Sequence, residues 1–277
     1  MPELPEVETI VRDLRPHVAG RRIGGLTYVH WDKTFATGSP KRVGAALAGR
    51  RVAALERRAK RVVMILDDGR VFVVSLRMTG QLTWERTPRA PSSFTRFILA
   101  LDKGAVRFDD ARKFGRVWLY TPAQWAAESA RLGPEPLSMS EADFAALLAT
   151  RRGMLKALLL DQKTLAGVGN IYADEALWLA KLHPRKRAET LSRAQAGALY
   201  RGVREALEAG IRNKGTSIDD YVGGLGEQGD NQNHLHAYGR TGEPCERCGT
   251  PIKRITSGQR GTHFCPTCQR QPRIKNP

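Results

Sequence analysis

The apolar residues Val7, Ile10, Val11 and Leu14 recur at the i, i+3, i+4, i+7 spacing, which predicts an amphipathic helix over residues 6–18. Pro5 suits its first turn, and Glu6 and Glu8 suit the positive end of its dipole. The period then changes. The runs Val62-Val63-Met64-Ile65-Leu66 and Val71-Phe72-Val73-Val74-Ser75-Leu76 read as strands joined by the hairpin signal Asp67-Asp68-Gly69-Arg70. Residues 94–101 and 105–108 repeat the device around Asp102-Lys103-Gly104, and residues 116–120 add a further strand. Six or more short strands within residues 21–120 predict a β-sandwich.

From Pro122 onward the pattern becomes helical. Ser140-x-x-Asp143 and Ser192-x-x-Gln195 resemble helix starts, the second as a capping box. Residues 155–160 and 171–182 are helical runs, broken by Leu165-Ala166-Gly167-Val168-Gly169-Asn170, and the helix after Ser192 is expected to stop near Asn213-Lys214-Gly215. Pro134-Glu135-Pro136 marks a boundary. The expected fold class is α+β: an N-terminal two-layer β-sandwich with its helix over residues 1–133, a helical domain over 134–239 and a C-terminal finger over 240–277.

Charge narrows the function. Lys and Arg total 45 against 28 Asp and Glu, a net charge of +17. Such an excess attracts polyanions, and nucleic acid is the expected partner; a basic enzyme with a small anionic substrate is the alternative. With 41% hydrophobic and 26% charged residues, the 277-residue chain reads as globular and long enough for about two domains. No apolar run approaches the roughly 18 residues of a membrane span. The start Met1-Pro2-Glu3-Leu4-Pro5-Glu6 is acidic and proline-rich, unlike a secretory signal, so a cytoplasmic location is expected.

All four cysteines lie in two pairs, Cys245-x2-Cys248 and Cys265-x2-Cys268, the spacing of a tetrahedral zinc site. Two disulfides or four free thiols are the alternatives, which a reducing compartment and the paired spacing disfavour. With four ligands no position is open for water, so one structural Zn2+ is expected. Sixteen residues separate the pairs, enough for a short hairpin with Ser257-Gly258 or Arg260-Gly261 near its tip. Eight Lys or Arg against two Glu over residues 240–277 suit that hairpin to DNA phosphate.

Other candidates are individually weaker. Trimming of Met1 would expose Pro2 as a secondary amine; an α-amino group has a pKa of about 7.7–8.0, so a useful fraction is nucleophilic near neutrality. Glu3 beside it is placed to move a proton, although the same residues also make a proline-punctuated helix start. Lys60, in Arg57-Arg58-Ala59-Lys60-Arg61, reads equally as a solvated basic edge. Gly167-Val168-Gly169-Asn170 could grip a phosphate through backbone N–H groups or simply let two helices pack. Phe114 is either a wedge between bases or a core aromatic. His234 and His236 carry no ligand spacing for a second metal.

Taken together, these segments resemble the bacterial formamidopyrimidine-DNA glycosylases. The resemblance runs from Pro2-Glu3-Leu4-Pro5-Glu6-Val7-Glu8-Thr9 through Arg77-Met78-Thr79-Gly80, Asp110-Ala111-Arg112-Lys113-Phe114-Gly115 and Gly133-Pro134-Glu135-Pro136-Leu137. It continues through Leu158-Leu159-Leu160-Asp161-Gln162 and Ala166-Gly167-Val168-Gly169-Asn170-Ile171-Tyr172-Ala173-Asp174-Glu175 to Tyr238-Gly239-Arg240 and the finger with Gln259-Arg260. It implies a helix–two-turn–helix in the second domain. It also implies an enzyme that binds duplex DNA carrying oxidised purines or abasic sites, excises 8-oxoguanine and formamidopyrimidines, and cleaves the strand by β,δ-elimination; a monomer is the default expectation.

By the same resemblance Pro2 is the Schiff-base nucleophile, Glu3 the proton donor in ring opening and Lys60 the general acid of β-elimination. Arg260 is linked to δ-elimination. Met78, Arg112 and Phe114 fill the space left by the flipped nucleotide, and Asn170, Arg151, Lys156 and Tyr238 belong to the DNA-contacting set. Arg151 stands where the family usually has lysine, and Ser93 where it often has a DNA-contacting histidine. The stretch 223–236, which in the family covers the flipped base, is unusual. Endonuclease VIII-type relatives, which prefer oxidised pyrimidines, typically start Pro-Glu-Gly-Pro-Glu, whereas Leu4 occupies the glycine position here. A non-catalytic DNA-binding protein on the same scaffold is disfavoured by the joint presence of Pro2, Glu3, Lys60 and Arg260.

Overall fold

A computed structural model describes residues 1–218, 220–257 and 259–271. The chain forms two compact units, one of Met1–Arg131 with Gly210–Gln232, the other of Leu132–Ala209 with the chain from Asn233 onward.

The first unit begins with α1 (Leu4–Val18), two residues earlier than the apolar spacing predicts because Glu3 acts as its N-cap. Two four-stranded antiparallel sheets follow. One has the order β1 (Ile23–Val29), β6 (Thr95–Leu101), β7 (Ala105–Asp110), β5 (Gly80–Glu85). The other has the order β2 (Val52–Arg58), β3 (Arg61–Leu66), β4 (Val71–Ser75), β8 (Arg116–Tyr120). One core holds residues of both sheets, with the Phe72 and Phe97 rings edge to face at 6.2 Å. Val7, Ile10, Val11 and Leu14 of α1 are sealed into it without solvent exposure. Both expected hairpins form, and their turns place Gly69 and Gly104 at φ of 80° and 75°, where a side chain is disfavoured.

A short helix, α2 (Pro40–Leu47), interrupts the region that reads as purely β. Ser39 caps it by accepting from Arg42 N–H at 3.3 Å, and Pro40 occupies its first turn. Helix α3 (Pro122–Ala130) is closed by a Thr121/Gln124 capping box. The later segment packs on α1 inside the same unit. Thr216 N–H donates to Glu6 Oε1 at 2.8 Å, and Gly224 N–H donates to Asp13 Oδ2 at 2.9 Å.

The second unit contains α4 (Glu141–Ala149), α5 (Leu155–Leu160), α6 (Asn170–Leu179) and most of α7 (Arg193–Arg212). Ser140 caps α4, and Ser192 with Gln195 makes the expected reciprocal pair of bonds before α7. The turns between α5 and α6 are built by side chains. Gln162 accepts from Gly167 N–H at 2.9 Å and donates to Val168 O at 2.9 Å, while Asp161 accepts from Thr164 Oγ1–H at 2.7 Å. Strands β9 (Lys253–Ser257) and β10 (Arg260–Phe264) form the hairpin of the finger. Gln259 precedes β10 at φ 61°, and Arg260 and Gly261 lie in that strand; Gly258, expected near the tip, lies outside the described residues. Among the described residues no helix is long and apolar enough to cross a membrane.

Candidate active site and nucleic-acid interface

In the first unit Pro2 and Glu3 are buried, Glu3 to 2% exposure. Glu3 N–H donates to Glu6 Oε2 at 2.8 Å. The two oxygens of buried Glu6 therefore hold the backbone of Glu3 and of Thr216 at once. Lys60 is half-buried in the two-residue turn between β2 and β3, after Ala59 at φ 53°. Arg57 ties this turn to α1 through its Nε bond to Glu8 Oε2 at 2.9 Å, and it donates to Ala59 O at 3.1 Å. Burial alone would raise the Glu8 carboxyl; bonds from Arg12 and Arg57 outweigh it and hold the group below its usual range. The N-terminus and the Lys60 turn are thus anchored on one helix.

Met78 and Phe114 project with 41% and 47% exposure, unusual for large apolar side chains. Arg112 is exposed, with its guanidinium 4.9 Å from the Phe114 ring centroid. Both loops take a left-handed turn at a non-glycine residue, Arg77 and Lys113, each at φ 58°. Ser93 is exposed beside Phe94.

In the second unit Arg260 opens β10 and is exposed. Asn170, first residue of α6, donates from Nδ2 to Gly261 O at 3.1 Å, which brings it next to Arg260. Arg151 is half-buried just beyond α4. Tyr238 N–H donates to Glu175 Oε1 at 2.8 Å, and its ring meets that of His263 at 5.1 Å. Lys156 departs from its expected place among the surface contacts. It is fully buried and paired with buried Asp174, so it offers no exposed charge to a phosphate.

The four cysteine sulfurs lie within 4.8 Å of one another, and none forms a disulfide. Cys248 Sγ is 3.5 Å from both Cys265 Sγ and Cys268 Sγ. A tetrahedron with Zn–S of about 2.3 Å needs sulfurs about 3.8 Å apart, so this set fits one structural zinc ion. The surrounding core consists of Ile252, Cys245 and Cys265 against Trp178 and Ala237. Arg247 stacks on Trp178 at 3.5 Å and donates to its carbonyl at 2.6 Å.

Sequence reading gives no organising role at these sites to Glu6, Thr79, Asp110, Asp174 or Glu175, although all five lie in motifs it quotes. The signal was their charge or their place. A buried carboxylate turns inward where it can accept hydrogen bonds from backbone N–H groups. Glu175 does so, accepting from His236, Ala237 and Tyr238 N–H at 2.8, 2.9 and 2.8 Å.

Comparison with known proteins divides the chain into three matched segments. Residues 1–117 match the formamidopyrimidine-DNA glycosylase N-terminal domain, residues 132–222 the H2TH domain of these proteins, and residues 242–271 a zinc finger found in FPG and IleRS. The formamidopyrimidine-DNA glycosylase of Herpetosiphon aurantiacus is 46% identical over 272 residues, covering 97% of this chain and 100% of the relative. That of Chloroflexus aurantiacus is 46% identical over 275 residues, covering 97% and 98%. Among solved structures, a mutant Lactococcus lactis FPG bound to Fapy-dG DNA superposes with a TM-score of 0.90 at 34% identity, covering 98% of this chain and 100% of that one. A Lactococcus lactis Fpg complex with abasic-site DNA gives 0.90 at 33% identity, covering 97% and 100%.

Proposed function

Because the chain belongs to the formamidopyrimidine-DNA glycosylase family, we propose that this DNA glycosylase flips out and excises oxidised purines, 8-oxoguanine and formamidopyrimidines, and then cuts the abasic strand. The observation that carries the reading is the placement of Pro2 at a buried chain start, immediately before Glu3, whose backbone is fixed by Glu6. A damaged base inside the stack is out of reach, so the nucleotide is extruded at a cost of a few kcal/mol. Met78, Arg112 and Phe114 fill the vacated space, with Arg112 bonding an opposing cytosine.

After removal of Met1, the Pro2 nitrogen attacks C1′. The N–C1′ bond forms, the glycosidic bond breaks and the base leaves with a proton. Glu3 donates the proton that opens the sugar ring. The resulting iminium is an electron sink that acidifies C2′–H. Loss of that proton expels the 3′ phosphate, assisted by Lys60 as general acid. A second elimination, linked to Arg260, expels the 5′ phosphate. Asn170, Arg151 and Tyr238 hold the DNA, and Lys156 serves this surface from within. Zinc keeps the hairpin that presents Arg260 folded. The enzyme acts as a monomer in the cytoplasm on chromosomal duplex DNA.

The test is cleavage of duplexes that each carry one lesion opposite each of the four bases. Preferential release of oxidised purines opposite cytosine is expected. Preference for oxidised pyrimidines would instead favour the endonuclease VIII-type reading.

A further inference from the structure

Asp110 ends β7 with 1% exposure, and four donors converge on its side chain and carbonyl, one of them Lys113 N–H at 3.4 Å from the carbonyl oxygen. Its Oδ1 accepts from the Thr79 hydroxyl at 2.5 Å, its Oδ2 from Gly115 N–H at 2.7 Å, and its backbone O from Arg96 Nε–H at 2.8 Å. The Thr79 oxygen in turn accepts from Arg112 N–H at 3.1 Å. A carboxylate has no proton to give, so the hydroxyl must donate to it and leave its lone pair for Arg112. One buried carboxylate therefore fixes Thr79, next to Met78, together with both ends of the segment carrying Arg112 and Phe114.

Two further features point the same way. Arg77 and Lys113 hold left-handed backbone, which persists in non-glycine residues only where surroundings over-determine it. Gly115 reaches the carboxylate because it lacks a side chain: a Cβ there would lie 2.4 Å from the Phe108 ring and 3.1 Å from Asp110 Oδ2.

We propose that Asp110, acting through Thr79, is a positioning residue that sets the geometry of Met78, Arg112 and Phe114 as one unit and thereby sets opposite-base selectivity. The inference rests on the reading of those three residues as the ones that replace the flipped nucleotide. Neither Asp110 nor Thr79 touches the reacting atoms in this account. The rigid pair of loops measures whether the orphaned base matches Arg112.

Asp110→Ala would empty a buried site and threaten folding, so Thr79 carries the test. Thr79→Val removes the hydroxyl at nearly constant volume, and Thr79→Ser keeps it. Excision of 8-oxoguanine opposite cytosine and opposite adenine is measured with the full-length zinc-loaded protein, alongside borohydride trapping on a single-stranded abasic oligonucleotide, which has no opposite base. The expected result is that Thr79→Val lowers the cytosine-to-adenine excision ratio by about fivefold or more, with Thr79→Ser restoring it and single-strand trapping changed by less than about twofold. In an Arg112→Ala background Thr79→Val should add nothing to the loss of selectivity. A parent that excises selectively, with a Thr79→Val variant equally selective or additive with Arg112→Ala, overturns this inference alone. A parent that excises from none of the duplexes overturns the underlying reading and this inference with it.

Discussion

Lys156 and Asp174 form an ion pair in which neither side chain has any solvent exposure. The pair does more than neutralise itself. Lys156 Nζ also donates to Asn170 O at 3.1 Å, and Asp174 Oδ2 accepts from His263 N–H at 2.9 Å. One buried contact thus joins α5, α6 and β10, and it leaves Arg260 exposed at the start of that strand. Lys156→Met strands a buried carboxylate and is expected to cost about 3–5 kcal/mol in urea unfolding. Adding Asp174→Leu should recover a substantial part. Unchanged stability in Lys156→Met would refute the pairing.

Zinc removal should abolish binding to lesion duplex while the β-sandwich stays folded. The finger's apolar core is small and includes two of the ligand cysteines, so its order depends on metal. The sandwich has a separate core of its own. Protein shown to be metal-free by elemental analysis should lose DNA binding in a mobility-shift assay and keep its β-sheet circular dichroism. Full affinity without metal would be the contrary result.

The net charge of +17 should appear in the salt dependence of binding to undamaged DNA. Neutralising about five to eight phosphates gives a slope of log K against log salt of about −4 to −7. Arg260→Ala should make the slope shallower by about one. A slope near zero would remove the electrostatic account.

Glu189 provides a pH prediction. Its own backbone N–H, Gly153 N–H and the Arg187 guanidinium hold its carboxyl down from 4.5 to about 2. A depressed folded-state pKa contributes stability that is present above the unfolded value and lost as pH falls through the folded one. Stability contributed by this contact should therefore fade between about pH 4.5 and 2. Glu189→Gln should flatten that part of the curve of unfolding free energy against pH, and an unaltered curve would count against it.

Much of the fold was legible because it follows from local chemistry. Residues 62–66 and 71–75 alternate faces around a glycine turn, and Ser192 with Gln195 caps a long amphipathic helix. Helix α2 was missed because its eight residues bury only Val43 and Leu47, too little for a clear 3.6-residue period amid strands. The candidate site was legible where chemistry and spacing coincide, as in the cysteine pairs. Lys156 was misplaced because a lysine in a basic segment reads as a surface contact; only tertiary packing shows Asp174, eighteen positions away, facing it. Asp110 and Thr79 were passed over because a short polar side chain in a loop motif gives no sign of which donors converge on it.

Adduct mapping asks whether the α-amine of Pro2 is the nucleophile. Borohydride should reduce the iminium and leave the protein covalently joined to lesion-containing DNA, with the adduct on the N-terminal peptide. Pro2→Gly should keep some trapping through its primary amine. One extra N-terminal residue should abolish both trapping and base release while leaving much of the phosphate-driven affinity. An adduct mapped to Lys60, or full activity in the extended protein, would contradict the account.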